Sequence, residues 1–170
     1  MMLLVLISLA FTQFSLAKPA NQINAEVDAA IKKFEKEVRG GAEFLSKVKG
    51  YLVFPSVIKG GFIVGGAHGD GWVYEQARFI GRASIVQVTV GAQIGGQSFM
   101  EIIFFKNKAA LDDFKQGNFE LNAQISAVAV TEGASKDASY DFGVAVFTMP
   151  RKGLMAEASV GGQKFEFTPK

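Results

Sequence analysis

Residues 50–71, GYLVFPSVIKGGFIVGGAHGDG, constrain the fold of this chain more than any other stretch. An apolar run, Tyr51-Leu52-Val53-Phe54, precedes Pro55 and Lys59. Gly60, Gly61, Gly65, Gly66, Gly69 and Gly71 then crowd around Phe62, Ile63 and Val64. Glycine packs nothing in a strand and loses the most backbone entropy on ordering. A β-rich segment keeps it where the chain bends, bulges or passes close to another backbone. The stretch therefore reads as sheet bent by glycine, and rival readings fail on spacing. A phosphate-binding loop ends in Gly-Lys-Ser/Thr, and Lys59-Gly60-Gly61 runs in the wrong order. A dinucleotide fingerprint needs a glycine three residues beyond Gly71, where Tyr74 stands. Gly61 and Gly65 have the spacing of a membrane-helix contact, but the apolar run around them is far too short.

Upstream the apolar period is helical. Ile23, Val27, Ile31, Phe34 and Val38 recur at steps of three or four, which predicts an amphipathic helix from residue 21. Gly40-Gly41 breaks it, and a shorter helix follows at 42–47 with Phe44, Leu45 and Val48 inward. Downstream the period becomes two. Residues 84–96 set Val86, Val88, Val90, Ala92 and Ile94 against Gln87, Thr89 and Gln93, the pattern of a half-buried strand. Residues 98–105 form a more apolar strand. Asn107 is placed to cap a short helix near 108–116, with Leu111 and Phe114 buried and Gly117 ending it. A strand is expected at 121–130 and a polar loop at 131–139. Strands at 142–149 and 154–161 are joined by a turn at Pro150-Arg151-Lys152-Gly153, and residues 163–167 close the chain. Links this short exclude helical crossovers, so pairing is antiparallel. The expected fold is α+β: a glycine-rich, mainly antiparallel curved sheet or barrel-like core, a long N-terminal amphipathic helix and a short helix near 108–116.

The chain has 170 residues and a net charge of only +2, which argues against a nucleic-acid partner. It has no cysteine and one histidine, so disulfides, thiol nucleophiles and Cys- or His-cluster metal sites are excluded. No cofactor is expected. Residues 1–17, MMLLVLISLAFTQFSLA, are uncharged, largely apolar and end in the small-x-small pattern of Ser15-Leu16-Ala17. The run is shorter than the ~20 residues a spanning helix needs. It reads as a signal peptide. Residues 18–170 are then one exported domain, periplasmic or secreted and peripheral to a membrane.

No catalytic constellation stands out. His68 and Asp70 lie two apart in an expected turn, with no nucleophile motif such as Gly-x-Ser-x-Gly in the chain. Glu101, Asp112, Asp113 and Glu157 show no spacing that makes an acid and a base. A non-enzymatic role is expected. The basic residues say more. Lys32, Lys33 and Lys36 lie off the apolar stripe of the first helix, Lys59 sits in the glycine stretch, and Arg151-Lys152 mark the late turn. Such groups can hold phosphate headgroups of an anionic membrane surface. The interleaved Glu26, Asp28, Glu35 and Glu37 equally suit a solvated helix face.

Four segments together resemble the SYLF domain family, a lipid-binding module also known as an actin-binding one. They are Lys49-Gly50-Tyr51-Leu52-Val53-Phe54-Pro55 with the glycines through Gly71; Gly91-Ala92-Gln93-Ile94-Gly95-Gly96-Gln97; residues 105–119 with Ala110-Leu111 and Phe114 ahead of Gly117; and Arg151-Lys152-Gly153-Leu154. The resemblance implies a single SYLF-like domain that binds anionic phospholipid, with Lys32, Lys33, Lys36, Lys59, Arg151 and Lys152 as candidate headgroup contacts. The alternative it leaves open is a protein-interaction module that binds an actin-like filament or an envelope scaffold.

Overall fold

The structure is a computed structural model that describes residues 20–61, 64–90, 97–117, 119–121, 127–129, 140, 142–152, 160 and 162–170. Along the chain these form α1 (Ala20–Glu37), α2 (Gly41–Lys47), β1 (Gly50–Gly61), β2 (Val64–Glu75), β3 (Arg78–Val90), β4 (Gln97–Phe105), α3 (Lys108–Lys115), β5 (Val128–Ala129), β6 (Val144–Lys152) and β7 (Lys164–Pro169). The strands make one sheet in the order β5-β6-β4-β1-β2-β3-β7. Pairing is antiparallel from β6 through to β7, as the short links require, and β5 adds a two-residue parallel pairing to β6. The class is α+β, and the sheet is curved without closing.

Side chains alternate across a strand, and here both faces are apolar. On one face Tyr51, Val53, Trp72, Ile102, Phe104, Phe147 and Met149 pack beneath Val27, Ala30, Phe34 and Val38 of the helical layer. Leu52, Phe54, Phe99, Ile103, Phe105 and Val146 line the other face, against Leu111 and Phe114 of α3 and Phe165 of β7. That second face is concave. Gln163, just ahead of β7, donates from Nε2 to Glu101 Oε2 of β4 at 3.1 Å, although β4 and β7 lie four places apart in the sheet. Only a curled sheet brings them together.

Local chemistry accounts for the curl. β1 loses register between Val53 or Phe54 and Val57, around Pro55, which has no N–H to give to a ladder. Gly71 is buried where an added Cβ would lie 2.7 Å from side-chain carbons of Leu52 and Phe54. Its missing side chain lets Phe54 lie across the concave face. Gly60 and Gly61 pair with Gly66 and Gly65 farther along the same hairpin.

The stretch from 119 to 129 touches both edges of the sheet. Leu121 N donates to Gln163 O and Gly162 N to Leu121 O beside β7, while Val128 and Ala129 pair with Phe147 and Thr148 of β6.

The helical expectations hold closely. Val27, Phe34 and Val38 are buried, Ala30 joins them, and Ile31 is half-buried. Ala110 N donates to Asn107 Oδ1 at 2.9 Å, and Gly117 leaves the helix with φ +84°. Two expectations change. Pro150, Arg151 and Lys152 continue β6 as strand instead of turning; Pro150 is accommodated at the register shift opposite Phe99. His68 lies within β2, paired to Ile58 and Val86, and not in a turn. The leader expected at 1–17, residues 91–96 of the family-like segment, the loop at 131–139 and most of the strands expected at 121–130 and 154–161 fall outside the described residues.

Candidate functional site

The six candidate basic residues do not form one patch. Lys32 and Lys36 are exposed on α1 and Lys33 is half-buried there. Val27, Ala30 and Phe34 of that helix are buried against the sheet and Ile31 is half-buried, so the exposed side of α1 is chiefly charged. Asp28, Glu35 and Arg39 are exposed with them. Lys59 is 8% exposed and shares the concave-face parity of Val57, which turns it away from the helical layer. Arg151 is exposed, yet its Nη1 donates to Pro55 O at 2.9 Å and ties the end of β6 to the β1 bulge. Lys152 pairs through its backbone with Ser98, and its side chain lies outside the described residues. Lys59 and Lys152 share one end of the sheet, through Lys59 opposite Gln97 and Ser98 opposite Lys152.

Lys59 instead belongs to a buried polar cluster. Glu101 and Thr148 are cross-strand partners on the concave face, both fully buried, and buried Gln163 bonds to Glu101. Glu101 Oε1, Thr148 Oγ1 and Gln163 Oε1 have no hydrogen-bond partner among the described residues. Desolvation pushes the Glu101 carboxyl up to about 8; the Gln163 hydrogen bond and the Lys59 charge pull the other way. Desolvation also pushes the Lys59 ammonium down, against the attraction of Glu101. The parity of Phe99, Glu101, Ile103 and Phe105 already places a charge in an inward position, a signal the spacing of carboxylates alone does not carry.

A third feature lies beside α1. A groove of about 440 Å³ opens between α1, α2, the start of β1 and the β2–β3 turn. Its walls include Ile31, Leu45 and Val48, its charged residue is Glu35, and Tyr51 contributes an aromatic surface. Tyr51 stacks on Tyr74 with ring centroids 5.0 Å apart and planes at 17°. The turn is strained: Gln76 and Ala77, neither of them glycine, take φ of 48° and 66°. Nothing in the sequence patterning marks this groove, because its parts come from four elements.

Elsewhere, His68 and Asp70 are both exposed on β2. Among the described residues no group of three or more His, Cys, Asp or Glu could hold a metal ion, and no helix is long and apolar enough to cross a membrane.

Glycine-bent hairpin, curled antiparallel sheet and basic helix are joined by direct sequence similarity. The family described as Las17-binding protein actin regulator (Ysc84), the SYLF group, matches residues 86–169. Through that region the chain is similar to the SYLF family. It is also similar to beta cell expansion factor A of Aeromonas veronii, with 28% identity over 146 residues that cover 84% of this chain and 55% of that protein. The chain thus spans about half the length of this curated relative.

Proposed function

We propose that this chain is a non-enzymatic, exported domain that holds anionic phospholipid headgroups at a membrane surface. The carrying observation is the division of labour on α1. Val27, Ala30, Phe34 and Val38 are spent on the sheet, while Lys32 and Lys36 remain in solvent with Lys33 at their edge. With those apolar side chains buried, the contact of the helix is electrostatic, worth about 1 kcal/mol for each basic residue near an anionic surface. Similarity to a family known for lipid or actin binding supports the reading. Arg151 and Lys152 would form a separate, secondary contact. Lys59, turned into the concave core, is not offered as a headgroup ligand.

The test is co-sedimentation with vesicles of phosphatidylglycerol and phosphatidylcholine. The triple variant Lys32→Gln, Lys33→Gln, Lys36→Gln is expected to bind tenfold or more weakly, from about three lost contacts. Sedimentation equal to the parent's would remove the helix from the interface.

A second reading, a protein-interaction module, is favoured by the family's description, which names a protein partner, and by Phe142, 83% exposed beside the start of β6. Binding through Phe142 would need no vesicles and would survive high salt, whereas binding through the lysines would not.

A further inference from the structure

We propose that the groove beside α1 takes the ammonium end of an aminophospholipid headgroup, with the headgroup phosphate resting on Lys32. The volume, about 440 Å³, lies within the range of small-ligand sites. Glu35 is the charged residue of the lining, and it has no salt bridge among the described residues. A carboxylate beside an aromatic ring is the setting that favours an organic cation. Ile31, Leu45 and Val48 supply the apolar wall that the short carbon chain of such a headgroup would touch. The field has the matching sign: besides burial, the carboxylates of Glu35 and Asp28 push the Tyr51 phenol up.

The phosphate position follows from helix geometry. Lys32 lies three residues before Glu35 on α1, so the two share one side of the helix. Lys32 is exposed. A cation beside a carboxylate, with the carboxylate over an apolar groove, fits a zwitterion better than a simple anion. The Gln76-Ala77 hairpin turn forms the opposite rim.

This inference deepens the membrane-surface reading and rests on it for the source of the ligand, but its test needs no membrane, so the two fail separately. O-Phosphoethanolamine is titrated into the isotope-labelled full chain, and the amides of Ser46 and Ala77 are followed by NMR. Saturable shifts at both are expected, and Glu35→Gln, an exposed and conservative change, should weaken binding about tenfold. Ethanolamine alone should shift the same amides more weakly, and inorganic phosphate should not shift them. The proposal is overturned if phosphoethanolamine leaves these amides unmoved, if Glu35→Gln binds like the parent, or if phosphate alone reproduces the shifts. Equal binding of an amidated, N-acetylated lysine would assign the groove to a protein side chain and overturn the headgroup.

Discussion

Burial among phenylalanines holds the Glu101 carboxyl up to about 8, against an ordinary value of 4.5. Between those two pH values the folded protein keeps a proton that the unfolded chain has released. Stability therefore falls as pH rises through that window and levels off above it, at a limiting slope of about 1.4 kcal/mol per unit. Glu101→Gln keeps the shape and removes the titration. Relative to the parent it is expected to flatten the decline between pH 5 and 8 and to be more stable at pH 8.5 by on the order of 2 kcal/mol. Urea unfolding at pH 5.5 and 8.5 checks this, and parallel slopes for the two proteins would refute it. Half of this site was legible beforehand. Glu101 alternates with Phe99 and Ile103, so its inward direction follows from period two alone. Its partner Gln163 is 62 positions away, and no local pattern could join them.

At the scale of elements, α1 is held chiefly by Phe34. Its ring meets Phe147 at 5.0 Å and Phe104 at 5.1 Å, with Phe44 of α2 at 6.4 Å. Phe34→Ala is expected to cost about 3–5 kcal/mol and to loosen the helical layer first. Hydrogen exchange should then show α1 amides losing protection before those of β1 and β4; uniform loss across the sheet would contradict this. The helices were legible because spacing, cap and terminator agree: Asn107 and Gly117 bracket α3, and Gly40-Gly41 separate α1 from α2. Pro150-Arg151-Lys152 reads as a turn in sequence because proline and adjacent charges resemble one, yet β6 runs through it. Only the register shift opposite Phe99, a property of the paired strand, shows how the strand continues through them.

Across the whole molecule, curvature decides which groups meet. The same curl that gathers Lys59, Glu101, Thr148 and Gln163 keeps Lys59 away from the lysines of α1, so a row of basic residues in sequence becomes separate sites in space. Charge counts cannot foresee this, because it depends on the bulge at Pro55 and on close packing at Gly71. The outer strand β7 runs against β3 from Gly81 opposite Pro169 to Val86 opposite Lys164. A chain lacking residues 164–170 leaves the backbone of β3 unpaired over that length, and exposed strand edges recruit other strands. It is expected to elute from a sizing column as larger species than the full chain; identical elution would show that β7 does not guard this edge.

The pairing of β3 with β7 also sets an order of assembly. β1, β2 and β3 follow one another in sequence and can zip together as local hairpins. Closing the β3 edge must wait for a segment separated from it by β4, α3, β5 and β6, a slow, long-range step. Until then the nascent sheet carries an open, apolar flank, and the last strand to dock makes the fold safe from its neighbours as much as it completes the core.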